Sequence, residues 1–238
     1  MRLLRSIAVT IAFLVFNLGA LPVTLLLLPI CWHRGLSIAF IRLLWRIFIR
    51  FCQLLHLFRL NTDALDPTIR GAIIAANHPS LIDAVFIVAR IPKTIPLARH
   101  GLRKNPFFRF VVANILLPDN ADLLQQAPPL LAKGYNILIF PEGTRSPDPF
   151  SIYPFHRGTA QLSLRTGAPI HPIRIAFDRR VLAKGQSPFD MGATLIHCSL
   201  TSLPPLLPPP ATPNQLHHQA TQLTHQLETL LNPATPHT

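Results

Sequence analysis

The chain has 238 residues, of which 49% are hydrophobic and 13% charged, whereas about 25% of the residues in a typical soluble domain are charged. This composition excludes an intrinsically disordered protein, because there is ample apolar surface to bury. Lys and Arg (22) outnumber Asp and Glu (10), giving a net charge of +12, which suits an anionic partner. The hydrophobicity favours a membrane surface over nucleic acid as that partner. The three cysteines lie far apart and predict neither a metal site nor a disulfide framework.

The N-terminal region contains a long apolar segment. Ile7–Ile30 has no charged side chain, and about 20 apolar residues can cross a bilayer, so this segment is a candidate membrane helix. A signal peptide is the rival interpretation, but the run is longer than an ordinary signal core and Leu21–Cys31 lacks a small-x-small cleavage site. Pro22 and Pro29 leave a re-entrant or interfacial helix open as well.

The segment Leu36–Phe58 has a helical pattern with a basic stripe. Arg42, Arg46 and Arg50 recur at every fourth position and therefore lie on one helical face, while the other faces are apolar and aromatic. This pattern predicts a helix in the headgroup zone of a membrane, with its arginines reaching phosphates. The alternative is a buried helix whose arginines pair with acidic side chains.

From Asn61 onward, short apolar runs alternate with helical patterns. Strands are predicted at Ala72–Ala76, Thr94–Leu97, Asn114–Leu117, Tyr135–Phe140, Pro169–Phe177 and Ala193–Ser199. Helices are predicted at Leu81–Ala89, Pro106–Val112, Asp119–Lys133 and Arg157–Thr166. Because Pro128 and Pro129 lie in the third of these helices, we expect it to be broken or shorter. A proline-rich connector, Pro204–Pro213, leads to a final amphipathic helix at Gln215–Leu231 that should dock onto the domain.

The alternation of strands and helices predicts an α/β fold with a central, mostly parallel sheet flanked by helices, preceded by an N-terminal hydrophobic, membrane-associated helical segment. Three regions follow from this pattern: membrane-associated helices at 1–60, an α/β domain at 61–203, and the connector with the amphipathic helix at 204–238.

A first candidate site follows the predicted strand Ala72–Ala76. If His78 lies in the loop and Asp83 in the first helical turn, their side chains can converge at the carboxyl end of the sheet, where α/β active sites form. A carboxylate beside an imidazole fixes its tautomer and raises its basicity, as a general base requires. The alternatives are structural: Ser80 and Asp83 resemble a capping box, and His78 could be a hydrogen-bonded core histidine.

A second candidate site, Phe140-Pro141-Glu142-Gly143-Thr144-Arg145-Ser146, directly follows the predicted strand Tyr135–Phe140. Gly143 and Thr144 offer backbone donors in a turn, and Arg145 offers a planar guanidinium that suits phosphate oxygens. A strand-end turn with a local Glu142–Arg145 ion pair is the structural alternative.

Together the two segments resemble the lysophospholipid acyltransferase superfamily, whose best-known members are the 1-acylglycerol-3-phosphate acyltransferases. The resemblance covers roughly 71–176 and includes the segments Phe155–Ala160, with Arg157-Gly158, and Gly167–Ile173. It implies that His78 deprotonates an acceptor hydroxyl, which attacks an acyl thioester, and that Asp83 orients and supports His78. The substrate-binding residues it implies are Glu142, Gly143, Thr144, Arg145 and Arg157.

The family usually also has a Lys-Glu-Leu-like stretch and a strand ending in an Asp-Arg pair that helps to bind the acceptor phosphate. Here the first is Arg99-His100-Gly101-Leu102, and the second ends in Asp119-Asn120 without an arginine. Besides a 1-acylglycerol-3-phosphate-like acceptor, this departure leaves another lyso-lipid or a hydroxylated lipid open.

The resemblance implies acyl-CoA or acyl carrier protein as donor, a lyso-lipid as acceptor and membrane lipids as partners. The cysteine spacing predicts no metal, and without a Walker loop or a G-x-G-x-x-G fingerprint no nucleotide cofactor is expected. No nucleic acid is expected either, because many arginines lie in the hydrophobic N-terminal region. Because both donors are cytoplasmic, the catalytic domain is expected on the cytoplasmic face of a membrane, the bacterial inner membrane in particular. A thioesterase and a non-catalytic lipid-binding protein of the same fold remain alternatives.

Overall fold

The computed structural model describes residues 7–12, 14–15, 33–98, 116–118, 122–187, 194–210 and 214–232. Residues 7–12 and 14–15 are helical. Five further helices follow within these ranges: α1 (Arg34–Leu54), α2 (Asp83–Arg90), α3 (Leu123–Ala132), α4 (Gly158–Thr166) and α5 (Leu216–Leu231). The strands in these ranges are β1 (Phe58–Asn61), β2 (Ile73–Ala76), β3 (Thr94–Ala98), β4 (Leu117–Pro118), β5 (Asn136–Ile139), β6 (Ile170–Phe177) and β7 (Ile196–Ser202).

The described strands form one sheet in the order β1-β7-β6-β2-β5-β3-β4. Neighbouring strands are parallel except for the β6–β7 pair, which is antiparallel. Ile73 of β2 pairs with Ile137 of β5 on one side and with Ile170 of β6 on the other. The sheet is therefore mostly parallel, as the alternation of strands and helices predicts.

Helices cover both faces of the sheet, which explains the continuous apolar run of β2. Ile74 and Ala76 face a core shared with α1 and α2, whereas Ile73 and Ala75 face a core shared with α3, α4 and α5. The alternation of side chains along a strand sends successive residues into opposite layers. The result is a three-layer α/β structure with β2 at its centre.

The helix predicted at Leu36–Phe58 ends earlier than expected. It stops at Leu54, and β1 begins at Phe58, so the sequence analysis missed this strand. His56, between the two elements, has φ +55°, a left-handed conformation that an α-helix cannot continue through. β1 then pairs with β7, whose residues lie more than 130 positions further along the chain.

The prediction that two prolines break or shorten a helix is correct only in part. α3 begins at Leu123 and runs through both Pro128 and Pro129. Each proline removes a hydrogen bond to the carbonyl four residues earlier, which belongs to Leu124 or Gln125. All four residues are exposed, so water can satisfy the freed carbonyls.

Several predicted elements lie wholly or partly outside the described residues. The helix Pro106–Val112 and the segments Arg99–Leu102 and Asp119-Asn120 are among them. Of the candidate membrane helix Ile7–Ile30, only residues 7–12 and 14–15 are described. No helix within the described ranges has the length and apolar character needed to cross a bilayer.

Candidate active site

The two candidate segments meet at one edge of the sheet. β2 and β5 are adjacent and parallel, so the loops that follow them leave the sheet side by side. Two hydrogen bonds join these loops directly: Ser146 N–H donates to the carbonyl of His78 (2.7 Å), and His78 N–H donates to Glu142 Oε1 (2.9 Å). The two motif segments therefore form one site at the carboxyl end of the sheet.

His78 and Asp83 form a hydrogen-bonded pair. The His78 Nδ1 atom lies 2.9 Å from Asp83 Oδ2, and the same oxygen accepts the Ser80 backbone N–H at 2.7 Å. The carboxylate therefore organises the start of α2 and holds the imidazole at the same time, so the capping contact and the pair coexist. The Asp83 side chain is fully buried, whereas 19% of the His78 side chain is exposed. With Nδ1 directed at Asp83, Nε2 is the ring atom available to a substrate.

The environment of Asp83 is unfavourable for its charge. Burial raises the pKa of Asp83 to about 6, against the hydrogen bond from His78, which lowers it. The second carboxylate oxygen, Oδ1, is buried without a hydrogen-bond partner, which is unusual for a charged group. Such a raised pKa is typical of functional carboxylates.

Two neighbours of His78 fix its loop and its ring. Asn77 is buried, and its side-chain amide both donates to and accepts from the backbone of Ile175, each at 2.8 Å. These two side-chain hydrogen bonds continue the contact between β2 and β6 one residue beyond the end of β2. The Phe140 ring stacks on the imidazole with 4.0 Å between ring centroids. Sequence reasoning assigned no role to either residue; an amide directly after a buried strand was the available signal for Asn77.

Glu142 is buried and bound by donors from three segments. Its Oε1 accepts the His78 N–H and the Ser146 hydroxyl (2.7 Å), and its Oε2 accepts the Tyr153 N–H (2.9 Å). The local ion pair with Arg145 considered as an alternative does not form. Glu142 thus clamps the His78 loop to the chain beyond the second motif.

Arg145 reaches a segment that the motifs do not include. Its Nη1 donates to the carbonyls of Leu182 (2.8 Å) and Ala183 (3.2 Å). The Leu182 carbonyl also accepts the Leu81 N–H at 3.3 Å, so the segment 182–183 contacts both motif loops. Gly143, in the turn of the second motif, adopts φ +63°, a conformation that glycine adopts without strain.

Arg157 lies at the N-terminus of α4 and is exposed. Its Nη1 lies 2.7 Å from Nε2 of His217 in α5, so its side-chain hydrogen bond joins two helices. Thr144 is half-buried in the turn after β5. The structure therefore brings His78, Asp83, Glu142 and Arg145 together, and gives Arg157 a contact outside that cluster.

The described cysteines offer no reactive thiol. Burial raises the pKa of both Cys52 and Cys198 to about 12, so neither forms a thiolate at neutral pH. In the part of the chain that the structure describes, no three or more His, Cys, Asp or Glu side chains are grouped to hold a metal ion.

Comparisons with known proteins find similarity to acyltransferases. A family model described as "Acyltransferase" matches residues 60–176. The chain is 23% identical to 1-acyl-sn-glycerol-3-phosphate acyltransferase alpha of Homo sapiens over 227 residues, which cover 90% of this chain and 78% of the human protein. It is 33% identical to the 1-acyl-sn-glycerol-3-phosphate acyltransferase of Cocos nucifera over 112 residues, which cover 43% of this chain and 36% of the plant protein.

The fold is similar to the crystal structure of the 1-acyl-sn-glycerophosphate (LPA) acyltransferase PlsC from Thermotoga maritima. The TM-score is 0.69 at 20% sequence identity, and the match covers 100% of both chains. The family model and the relatives agree on one family. The chain belongs to the family of the 1-acylglycerol-3-phosphate acyltransferases, and the protein is an acyltransferase.

Proposed function

We propose that the protein transfers an acyl group from acyl-CoA or acyl carrier protein to the hydroxyl of a lysophospholipid, with His78 as the general base. The observation that carries this proposal is the buried Asp83 carboxylate 2.9 Å from His78 Nδ1. This contact holds the imidazole in the tautomer whose Nε2 can accept a proton. The names of the human and coconut relatives support 1-acylglycerol-3-phosphate as the acceptor class.

In the proposed reaction, Nε2 of His78 takes the proton of the acceptor hydroxyl as its oxygen attacks the thioester carbonyl carbon. The tetrahedral intermediate then collapses, the carbon–sulfur bond breaks, and the thiolate takes the proton back from His78. The products are the acylated lipid and a free thiol, and His78 returns to its starting state. A general base of this kind contributes about 10²- to 10⁴-fold to a rate.

In this mechanism Asp83 stays ionised and stabilises the imidazolium that forms. Its burial strengthens the interaction with His78, because fewer water molecules screen the charge. Glu142 and Phe140 hold His78 in place, through the backbone hydrogen bond at 2.9 Å and the ring stack at 4.0 Å respectively. Substrate contacts of Glu142, Gly143, Thr144, Arg145 and Arg157 remain predictions.

The test is acyl transfer from labelled acyl-CoA and acyl carrier protein to a panel of lyso-lipids, including 1-acylglycerol-3-phosphate, with product identification by mass spectrometry. We expect wild type to yield an acylated lipid and His78→Ala to yield none. The matched control is His218→Ala, an exposed histidine of α5, which should retain full activity. Release of free fatty acid instead of an acylated lipid would support a thioesterase, and equal activity of His78→Ala and wild type would refute His78 as the base.

We also propose that α1 lies on an anionic membrane surface, with the catalytic domain on the cytoplasmic face. Large apolar side chains are exposed along this helix: Leu36, Leu43, Ile47 and Leu54. Arg42 and Arg46 flank them, and Arg42 Nη2 donates to the Arg90 carbonyl at 3.3 Å. Burial and neighbouring arginines lower the pKa of both Arg42 and Arg90, and within the described ranges neither forms an ion pair with a carboxylate.

Such a group of cations beside exposed apolar side chains is suited to lipid phosphates. Liposome flotation tests this: the wild type should bind vesicles containing an anionic lipid, and binding should weaken as salt concentration rises. The double variant Arg46→Glu/Arg50→Glu should bind several-fold less. Arg165→Glu, which changes an exposed arginine of α4, is the matched control and should bind like wild type.

A further inference from the structure

The segment 153–156, which connects the Glu142 loop to α4, is held by two glutamates, one from the neighbouring loop and one from the distant helix α5. Glu142 Oε2 accepts the Tyr153 N–H at 2.9 Å, and Glu228 Oε1 accepts the Phe155 N–H at 2.6 Å. The His156 N–H donates to the Pro141 carbonyl at 2.9 Å. Glu142 and Glu228 are the chain's two glutamates, and each binds a backbone donor of this segment.

These hydrogen bonds lead from α5 to the candidate general base. Glu228 in α5 holds Phe155, the neighbouring Tyr153 is bound by Glu142, and the other oxygen of Glu142 accepts the His78 N–H at 2.9 Å. Hydrogen bonds between a carboxylate and a backbone N–H are short and among the stronger ones in proteins. Hydrogen bonds therefore connect the backbone of His78 to α5, a helix that begins 40 residues beyond the end of the family match at residue 176.

α5 itself is firmly attached to the domain. Its Leu223 and Leu227 side chains are buried in the core shared with α4. Arg174 of β6 donates through Nη2 to the carbonyls of Leu230 (2.5 Å) and Asn232 (3.2 Å) at the end of the helix. The helix dipole disfavours a carboxylate in the last turns of a helix. The hydrogen bond from the Phe155 N–H offsets this unfavourable interaction at Glu228.

We propose that Glu228 is a positioning residue of the transfer reaction. By fixing Phe155 it orders the segment 153–156, which keeps the Glu142 carboxylate aligned with the His78 backbone. Glu228 touches no substrate in this scheme, and it acts on the rate only through His78. The inference rests on the proposed role of His78 as general base.

The experiment compares Glu228→Ala and Glu228→Gln with wild type in the acyl-transfer assay. Alanine removes the acceptor, whereas glutamine retains a carbonyl oxygen that can accept the Phe155 N–H. We expect Glu228→Ala to lower kcat by about tenfold with both KM values unchanged, since a misplacement of about 1 Å can cost about 100-fold. Glu228→Gln should restore most of the loss. Gln226→Ala, an exposed residue of the same helix, is the matched control.

Amide hydrogen exchange provides the readout that a purely local role of Glu228 would not change. In Glu228→Ala, protection should fall at Phe155 and also at the Tyr153 and His78 amides, with the unfolding midpoint of the protein close to wild type. A loss of protection confined to Phe155, or a kcat equal to that of wild type, would overturn the proposal. If Glu228→Ala does not fold, exchange at the same amides and kcat in Glu228→Gln decide the question.

His78→Ala, measured in the same assay, separates this inference from the proposed function. If His78→Ala is inactive and Glu228→Ala is fully active, the role of Glu228 is refuted and the role of His78 stands. If His78→Ala is active, the proposed function fails, and with it the reason for an effect of Glu228 on kcat.

Discussion

Asp83→Asn replaces a fully buried carboxylate by a neutral side chain of nearly the same shape. In the wild type, burial raises the pKa of Asp83 from 3.8 to about 6. The raised value means that the folded protein holds this proton more tightly than the unfolded chain. The stability contributed by the protonated form is therefore fully present below about pH 4 and is lost as the pH rises through about 6.

The size of this loss follows from the two pKa values. The difference between 3.8 and about 6, at about 1.4 kcal/mol for each pH unit, corresponds to about 3 kcal/mol in the free energy of unfolding. Asparagine does not ionise, so Asp83→Asn avoids this cost. Relative to wild type, the variant should gain about 3 kcal/mol in stability between pH 4 and pH 8. A poorly accommodated amide group would lower the free energy of unfolding of the variant by the same amount at every pH, and the pH dependence of the difference would remain.

Urea unfolding of both proteins at several pH values between 4 and 8 measures the effect. Asp178→Asn is a useful control, because the hydrogen bond from Arg179 lowers the pKa of the exposed Asp178. The contribution of Asp178 has the opposite sign and is lost only as the pH falls below the unfolded value of 3.8, so the stability curves of Asp178→Asn and wild type should run nearly parallel between pH 4 and pH 8. At pH 8, where Asp83 of the wild type is ionised, kcat of Asp83→Asn should be at least about 100-fold lower than that of wild type, the smaller limit for general-base catalysis.

Parallel stability curves for wild type and Asp83→Asn across this pH range would refute the reasoning, because they would show that Asp83 carries no raised pKa in the folded state. A variant that is more stable at neutral pH and nearly inactive would instead show that the buried charge is retained for function at a cost in stability.

Three further predictions concern the surroundings of His78 and the turns of the fold. Glu142→Gln keeps one oxygen, which can still accept from two of the three donors, but it directs its N–H₂ group at the third donor. Urea unfolding should therefore show a free energy of unfolding lower by about 1–3 kcal/mol, and kcat should also be lower. Phe140→Leu removes the ring stacked on His78 and should lower kcat by about 2- to 10-fold, with KM for both substrates unchanged. Gly167→Ala should cost about 1 kcal/mol in thermal unfolding, because Gly167 has φ +70° and open space around it. Gly71→Ala should cost clearly more, since its added Cβ would lie 3.0 Å from the Leu131 carbonyl oxygen; equal losses at the two glycines would contradict this.

Local sequence patterns predicted the elements that carry the site. A strand followed by a polar loop and a helix needs only neighbouring residues, so β2, α2 and β5 occur where the apolar runs place them, within a few residues. His78 and Asp83 converge because they are five positions apart across a loop and a helix start. The two motif loops meet because β2 and β5 are adjacent and parallel and release their loops at one edge of the sheet, an adjacency that the structure revealed.

Contacts between distant parts of the chain were not predictable in the same way. β1 has a partner strand more than 130 residues away, and Arg145 binds carbonyls at positions 182 and 183, which belong to no motif. Nothing in the residues around Glu142 or Glu228 indicates that their carboxylates bind backbone donors of the same short segment.

The sequence by itself determined the α/β class and the strand ends that bear the motifs, and it placed His78 and Asp83 where they can converge, because hydrophobic periodicity and loop chemistry are local properties. The tertiary structure decided the burial of Asp83, the partners of Glu142 and Arg145, and the contact of α5 with the segment beside the site. Each of these depends on how helices from separate parts of the chain pack against the sheet, and that packing is set by the sum of many non-local contacts.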